Sequence, residues 1–239
     1  MQIWPAIDLL NGQAVRLTKG SYENVKVYFN DPQEILAFFT SKGARHLHVV
    51  DLDGARDGKA VNFDTIRLLA SQAGCEIEVG GGIRDEKRID AYLSMGVRYV
   101  ILGTKAVQDP AFLEKMLQKY EDHIVVGVDT KNGMVATGGW LHTSDLSGLA
   151  FCKELERMGV SRIVYTNIAK DGMLQGTDLD LYKELASSLK VPITASGGIT
   201  HLSEIEKLKQ IGIGSCIIGK AIYEGVMDLS EALAFESMQ

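Results

Sequence analysis

The sequence is poor in several features that mark large classes of protein. Its 239 residues include only 3 cysteines, Cys75, Cys152 and Cys216, which lie far apart and form no Cys-x-x-Cys pair. This number and spacing argue against a disulfide framework and indicate reduced thiols in a core. No apolar run approaches the roughly 18 residues of a membrane span, and no basic segment precedes the apolar N-terminus as in a signal peptide. We therefore expect a cytoplasmic protein.

Positive charge is also scarce. The chain has 25 Lys and Arg residues against 31 Asp and Glu, a formal net charge of −6, whereas a nucleic-acid surface needs a basic field. There is no cluster of His, Cys and carboxylates at metal-ligand spacing, no Gly-x-Ser-x-Gly and no Walker sequence. We therefore expect no nucleic-acid partner and no bound metal. An anionic ligand would have to be held by backbone amides and a few cations.

The sequence does contain a regular alternation of short β-rich runs with helical patterns. Most of the runs are continuously apolar, as expected for parallel strands buried on both faces. Asp-Pro at 31–32 and at 109–110 marks two helix starts. The predicted strands are Ile3–Ile7, His46–Val50, Glu76–Val79, Tyr99–Leu102, Ile124–Val128, Arg162–Tyr165, Pro192–Ala195 and Ser215–Ile218.

Eight βα units predict an α/β fold of the (β/α)8 TIM-barrel type, whose usual length is about 250 residues. The alternative is a doubly wound open sheet. Such a sheet would have about six strands and a single glycine-rich motif, placed after the first strand. Here glycine clusters follow the third, fourth, seventh and eighth predicted strands, and this placement favours the barrel. Because the chain has no linker or low-complexity segment, we predict a single domain over residues 1–239.

A glycine-rich pattern occurs twice along the chain with the same internal spacing. Gly81 corresponds to Gly197 and Gly103 to Gly219, and Asp-x-x-Asn-Gly at 8–12 returns at 129–133. The repetition predicts an internal two-fold duplication, with half-barrels of about 1–122 and 123–239.

The repeated glycines also predict two phosphate sites. Without a Cβ, backbone N–H groups can approach an anion closely, and a following helix N-terminus adds a favourable dipole. Tight βα turns would need glycine as well, but four clusters at matched spacing favour phosphate binding. The predicted phosphate-binding residues are Gly81, Gly82, Gly103, Thr104, Gly197, Gly198, Gly219 and Lys220.

Two aspartates are the candidate catalytic residues. Asp8 ends the first predicted strand and Asp129 the fifth, so they should face each other across the mouth of the barrel. A pair of carboxylates can divide acid and base roles if their environments separate their pKa values. The alternative is that each Asp makes a loop turn with the Asn-Gly that follows it. Thr166 ends the sixth strand and could donate a hydrogen bond in the site, while His48 could be either a core or a functional residue.

Further candidates lie on the loops. Arg84 could clamp a phosphate, and Arg16 could reach the substrate. Trp140 follows Gly-Gly at 138–139, a pattern that suits a lid stacking on a planar ring. Asp171 and Gly172 follow the sixth strand and are predicted to bind the substrate or its second phosphate. Arg84 could instead be a surface residue at a helix start, Trp140 could fold back onto the barrel rim, and Arg16 could make no contact with the substrate.

Together these segments resemble a known family, the histidine-biosynthesis isomerases that act on phosphoribosylformimino-5-aminoimidazole carboxamide ribotide (ProFAR). The resemblance covers essentially the whole chain. The motifs that carry it are Pro5-Ala6-Ile7-Asp8-Leu9, Gly12-x-x-Val15-Arg16-Leu17, His48-Val49-Val50-Asp51-Leu52, Gly80-Gly81-Gly82-Ile83-Arg84, Gly138-Gly139-Trp140 and Thr166-x-x-x-Lys170-Asp171-Gly172.

The resemblance implies a cofactor-free Amadori rearrangement, aldose to ketose, of a small-molecule substrate with two phosphates. It implies that Asp8 is the general base, that Asp129 is the general acid and that Thr166 assists. We also expect a monomer. The sequence departs from the family pattern at Asn167, where many members have an acidic residue. The fine detail of the loop after the sixth strand is therefore not implied by the resemblance.

Three other functions remain open from the sequence. The sister cyclase of the same pathway shares the barrel, the duplication and both aspartates, but it binds a glutaminase and should carry an early lysine in or after the first strand. A dual-substrate isomerase would also accept phosphoribosyl anthranilate. A barrel that only binds a bis-phosphate would not need two opposed carboxylates.

Overall fold

The structure, a computed structural model, describes residues 1–18 and 20–237. Across these residues the chain forms twelve strands, and eight of them close into a parallel barrel. In chain order the strands are β1 (Gln2–Leu10), β2 (Gln13–Thr18), β3 (Ser21–Phe29), β4 (His46–Asp51), β5 (Glu76–Gly80), β6 (Tyr99–Leu102), β7 (Ile124–Lys131), β8 (Met134–Thr137), β9 (His142–Ser147), β10 (Ile163–Asn167), β11 (Ile193–Ser196) and β12 (Ser215–Ile218).

The barrel strands follow one another in the order β1, β4, β5, β6, β7, β10, β11 and β12. The sheet closes because β12 pairs in parallel with β1, with Ile3 opposite Cys216. Each predicted strand overlaps one of these barrel strands. The predicted (β/α)8 TIM barrel is therefore confirmed.

Helices lie between the barrel strands. The side chains of Asp31 and Asp109 accept hydrogen bonds from the backbone N–H of Gln33 (2.9 Å) and Phe112 (3.0 Å), so both predicted helix starts are confirmed. In residues 1–18 and 20–237 no helix has the length and apolarity to cross a membrane. The helices are α1 (Pro32–Ser41), α2 (Leu52–Asp57), α3 (Phe63–Gln72), α4 (Glu86–Ser94), α5 (Thr104–Gln108), α6 (Pro110–Tyr120), α7 (Gly148–Arg157), α8 (Leu179–Ser188), α9 (Leu202–Gln210), α10 (Lys220–Tyr223) and α11 (Leu229–Ser237).

Two hairpins were not predicted from the sequence. Strands β2 and β3 follow β1, and strands β8 and β9 follow β7, in equivalent positions of the two halves. Each hairpin turns at an Asn-Gly pair with positive φ at both residues: Asn11 at 50° with Gly12 at 77°, and Asn132 at 53° with Gly133 at 78°. This is the geometry of the tight turn that matches the twist of a β-hairpin.

The hairpins correct the expected ends of two barrel strands. The sequence predicted that the first strand ends at Asp8 and the fifth at Asp129, which is wrong, since β1 continues to Leu10 and β7 to Lys131. The Asn-Gly pair extends each strand into an antiparallel pairing, in which Asp8 lies opposite Val15. Both aspartates are therefore held by strand hydrogen bonding and not by a loop turn.

The core has two layers, separated by the wall of the barrel. Successive residues of a strand point to opposite faces, so Ile3 and Ile7 of β1 pack outward with the helices, whereas Trp4 and Ala6 point inward. Asp8, two residues after Ala6, also points into the barrel and lies nearer the carboxyl end of β1. The inner layer is small and consists of Trp4, Ala6, Ile101, Val125, Val164 and Ile217.

Candidate active site

The carboxyl ends of the barrel strands open into one cavity. All of the catalytic and binding residues predicted from the sequence line it. They are Asp8, Arg16, Gly81, Gly82, Arg84, Gly103, Thr104, Asp129, Trp140, Thr166, Asp171, Gly172, Gly197, Gly198, Gly219 and Lys220. No group of three or more His, Cys, Asp or Glu suited to a metal occurs in the part of the chain that the structure describes.

The two aspartates stand on opposite strands of the barrel but have different partners. Asp8 Oδ2 lies 2.9 Å from Nη1 of Arg16, a side chain of the first hairpin. Asp129 Oδ2 accepts a hydrogen bond of 2.8 Å from the indole Nε1 of Trp140. Thr166 is the register partner of Asp129 on the neighbouring strand, and its hydroxyl lies close enough to lower the pKa of the same carboxyl. The duplicated positions are thus chemically unequal.

The surroundings of Asp129 favour its protonated form. Loss of water raises the pKa of this carboxyl above its usual value, and the Trp140 indole and the Thr166 hydroxyl beside it offset only part of that effect. A carboxyl with a raised pKa can keep a proton near neutral pH and deliver it to a substrate.

Asp171 adds a third carboxyl group to the same site. Burial, together with the negative charges of Asp8 and Asp129, raises the pKa of Asp171 to about 6, although the positive charge of Arg16 opposes the shift. Sequence reasoning assigned Asp171 only to binding of the substrate. A titrating carboxyl beside two others is also typical of catalytic sites.

Arg16 is held more tightly than the sequence indicated. Besides Asp8 it donates a hydrogen bond to the carbonyl of Ala6, and its guanidinium lies 4.9 Å from the ring centroid of Tyr223. A Cβ on Gly219 would come within 2.5 Å of its Cζ atom. Gly219 is therefore required by the packing of Arg16, whether or not an anion binds beside it. The sequence had given no role to Tyr223.

The glycine pairs after β5 and β11 have the same backbone conformation. Gly81 and Gly82 have φ of 106° and 67°, and Gly197 and Gly198 have 93° and 83°, values that L side chains rarely adopt. A Cβ on Gly82 would lie 1.9 Å from the carbonyl oxygen of Gly54. The close packing of neighbouring loops thus demands these glycines, and it also leaves the ends of the cavity lined by backbone.

Polar side chains at the two ends differ between the halves. Lys220 donates a hydrogen bond of 2.8 Å to the carbonyl of Gly172, whereas Thr104 Oγ1 accepts one of 2.9 Å from the N–H of Gly138. Among the residues that the structure describes, Arg84 forms no ion pair, and its side chain is exposed at the first end of the cavity. Its guanidinium is therefore available to an anion.

Trp140 lies in the cavity on a strained segment. Gly138, Gly139 and Trp140 have φ of 64°, 65° and 71° in succession, and a non-glycine residue in this region costs about 1–3 kcal/mol. The indole packs on Gly20 of the first hairpin so closely that a Cβ there would lie 2.1 Å from its Cε3 atom. The two hairpin regions therefore meet over the cavity at Trp140.

His48 and Tyr22 also line the cavity. The Tyr22 hydroxyl donates to the carbonyl of Leu52 (2.8 Å) and ties the first hairpin to α2. The sequence left His48 open between a core and a functional role. In the structure its Nδ1 contacts buried Glu78 and the residue also lines the cavity, so a functional role stays a prediction. Asn167, the departure from the family pattern, bonds Asp178 at 3.1 Å and holds its loop.

Comparison with known proteins agrees with this architecture. Residues 2–228 match the family model described as "Histidine biosynthesis protein". The chain is similar to proteins from Brachyspira hyodysenteriae (48% identity over 98% of both chains), Ruminiclostridium cellulolyticum (45% over 98% of this chain and 99% of the relative) and Alcanivorax borkumensis (44% over 98% and 97%). Each relative is named 1-(5-phosphoribosyl)-5-((5-phosphoribosylamino)methylideneamino)imidazole-4-carboxamide isomerase.

Proposed function

The chain belongs to the histidine biosynthesis protein family, and we propose that it is the ProFAR isomerase for which its relatives are named. The family resemblance drawn from the sequence is confirmed by these relatives. The reaction is an aldose-to-ketose rearrangement that yields the phosphoribulosyl isomer. The observation that carries the proposal is the cavity, in which opposed carboxylates lie between two glycine-lined ends.

The shape of the substrate fits the two ends of the cavity. The name of the relatives contains two phosphoribosyl groups, so the molecule has a phosphate at each extremity. One phosphate would lie against the backbone after β5 and β6 and the other against the backbone after β11 and β12. Exposed Arg84 at the first end and Lys220 at the second supply the cations.

The proposed chemistry assigns different tasks to the two aspartates. Asp129 gives a proton to the ring oxygen of the ribose, and the bond between C1 and that oxygen breaks to leave a protonated imine. Asp8 then removes the proton from C2, and the electron pair of the C–H bond forms the enolamine. Tautomerisation gives the aminoketose, so no oxidant and no external reductant is consumed. The raised pKa of Asp129 supports its role as the acid.

Hydrogen bonding within the site supports the same division. Only Oδ2 of Asp8 is bonded to Arg16, which orients the carboxylate while the second oxygen is left to receive a proton. The indole of Trp140 orients Asp129 in the same way. Trp140 also provides an aromatic face for the imidazole ring of the substrate.

The direct test is to incubate purified protein with ProFAR and to follow its conversion to the ribulosyl isomer. Asp8→Asn and Asp129→Asn should each lower kcat by about 10²–10⁴-fold, the usual contribution of a positioned acid or base, with little change in the affinity for ProFAR. Asp145→Asn changes an exposed carboxylate of β9 outside the cavity and should have no effect. Near-normal turnover by either cavity variant would contradict the assignment.

Phosphoribosyl anthranilate serves as the second substrate in this assay. Turnover of both compounds would identify a dual-substrate isomerase. If the protein binds ProFAR but does not convert it, it is a barrel that only binds a bis-phosphate.

A further inference from the structure

A chain of buried polar side chains crosses the interior of the barrel below the cavity. His48 Nδ1 lies 2.6 Å from Oε1 of Glu78, and Nη2 of Arg162 lies 2.5 Å from the other carboxylate oxygen. Arg162 Nη1 donates to Thr194 Oγ1 at 3.1 Å, and Thr194 bonds Ser215 at 2.6 Å. The Glu78 side chain is fully buried. Neither Glu78 nor Arg162 is among the residues that line the cavity.

Arg162 is fixed in its place as a positive charge. Its guanidinium lies 4.8 Å from the ring centroid of Trp4 and 4.8 Å from that of Tyr99, so it is held between two aromatic side chains. Burial alone would raise the pKa of Glu78, but the charge of Arg162 and the hydrogen bond with His48 lower it below its usual value. Glu78 is therefore an ionised carboxylate, which can only accept hydrogen bonds.

An ionised Glu78 determines which nitrogen of His48 carries hydrogen. A carboxylate has no hydrogen to donate, so the 2.6 Å contact requires a hydrogen on Nδ1. In neutral His48 the lone pair is then on Nε2. No hydrogen bond between described residues uses Nε2, and the ring lines the cavity together with Asp129 and Asp171.

We propose that Glu78 and Arg162 are positioning residues of the isomerase, which hold His48 with hydrogen on Nδ1 so that Nε2 accepts a hydrogen bond from a hydroxyl group of the substrate. The proposal rests on the proposed function for its kinetic consequence but not for the state of His48. It gives a function to an ion pair that does not line the cavity. Fixing a histidine by a buried carboxylate is effective because the wrong tautomer offers a donor where an acceptor is needed.

Glu78→Gln reverses this arrangement without a change of size. A guanidinium only donates hydrogen bonds, so the amide oxygen of the new side chain must face Arg162. Its NH2 group then faces His48, which makes Nδ1 the acceptor and moves the hydrogen to Nε2. The substitution is thus expected to switch the tautomer of His48.

Nitrogen-15 NMR of histidine-labelled protein reads the tautomer directly. The chain has 5 histidines, and the loss of one signal set in His48→Asn assigns the relevant ring. With the ring neutral, the unmodified protein should carry hydrogen on Nδ1 and Glu78→Gln on Nε2. Hydrogen on Nε2 in the unmodified protein would overturn the proposal without any variant, so it stays testable if Glu78→Gln does not fold.

The kinetic arm uses ProFAR as substrate. Glu78→Gln should lower kcat on the order of 10²-fold, the scale on which misplaced contacts act, while it keeps its cooperative thermal unfolding. Arg162→Lys keeps a positive charge beside Glu78, so it should retain hydrogen on Nδ1 and lose less activity. A folded Glu78→Gln protein with a switched tautomer and unchanged kcat would contradict the proposal. If the unmodified protein does not convert ProFAR, the proposed function fails, but the NMR result stands.

The matched control is a second Glu–His pair outside the cavity. Glu236 Oε1 lies 3.0 Å from Nδ1 of His46, and neither residue lines the cavity. Glu236→Gln therefore makes the same chemical change in a similar pair and should leave kcat within about twofold of the unmodified protein, since it makes no contact in the site. An equal loss of activity in both variants would show that the effect of Glu78→Gln is only structural.

Discussion

Three carboxyl groups share the mouth of the barrel, and their charges act on one another. Asp171 is partly buried and lies within the electric field of Asp8 and Asp129. Arg16 is the nearby fixed cation that offsets this negative charge. Repulsion among these carboxylates lowers the stability of the free enzyme. Such a loss of stability is common where activity needs groups with shifted pKa values.

Asp171→Asn should stabilise the folded protein near neutral pH. Burial and neighbouring carboxylates raise the pKa of Asp171 to about 6 in the folded state, against the usual 3.8 of an aspartate. Since the folded protein holds this proton more tightly than the unfolded chain, ionisation above pH 6 costs folding free energy, and the cost disappears below about pH 4. We expect the variant to gain about 1–3 kcal/mol at pH 7.

Urea unfolding at pH 7 and at pH 4 measures this difference. The gain should be present at pH 7, decline as the pH falls through 6 and be lost at pH 4. A gain that is equal at both pH values would mean that the carboxyl of Asp171 does not titrate as the structure indicates.

At the scale of elements, the site is formed by the hairpins and loops that the barrel strands carry. The two hairpins occupy equivalent positions, but only the second leads to a Trp in the cavity. Gly20, between β2 and β3, packs directly on that Trp140. The position of the indole, and with it the hydrogen bond to Asp129, depends on contact between elements that are distant in the sequence.

Gly20→Ala should displace Trp140 from Asp129. The new Cβ would lie 2.1 Å from Cε3 of the indole, and Gly20 has a φ of 69°. We expect kcat/KM for ProFAR to fall by about 10-fold or more, because small misplacements of site groups are costly. The emission of tryptophan should change as well, since Trp140 is one of only 2 tryptophans and the other, Trp4, is buried in the barrel.

Gly43→Ala is the control for backbone strain. Gly43 has a φ of 88°, but a Cβ there would have no atom within 4 Å. Both variants place an L residue in the left-handed region at a cost of about 1–2 kcal/mol, and only Gly20→Ala adds the clash with Trp140 to that cost. Equal activities of the two variants would show that the contact between Gly20 and Trp140 has no role in the site.

At the scale of the whole molecule, the barrel closes only when its two similar halves pair with each other. Hairpins, glycine pairs and short helices recur in the two halves, which supports one domain made of half-barrels of about 1–122 and 123–239. The halves are joined by two parallel pairings, β6 with β7 and β12 with β1. Each half alone would therefore expose two strand edges that are paired in the intact chain.

Separated half-barrels should not persist as monomers. Unpaired parallel edges are templates for association, so residues 1–122 and 123–239 expressed singly should form larger species, while the two halves together should assemble. Light scattering gives the mass of each species, with the intact 26.1 kDa chain, which we expect to be a monomer, as the reference. A monomeric half with cooperative unfolding would contradict this prediction.

The parts of the fold that could be predicted were those with a local physical signal. Apolar runs marked the barrel strands because both faces of a parallel strand are buried. Asp-Pro marked the starts of α1 and α6, because Asp caps the first turn and Pro needs no N–H there. The hairpins had a signal too, in Asn11-Gly12 and Asn132-Gly133. An Asn-Gly pair also suits a loop turn after a strand end, so this signal alone did not predict a hairpin.

The sequence by itself determined the barrel, its repetition and which side chains meet at the cavity, since the carboxyl ends of parallel strands converge on one face. Tertiary structure alone decided what each of those side chains does to the others. The pairing of Asp8 with Arg16, the contact of Asp129 with Trp140, the shifted pKa of Asp171 and the buried path from Arg162 through Glu78 to His48 join residues from separate elements. Electrostatic and packing effects depend on distance and on exclusion of water, and neither is written in the order of the residues.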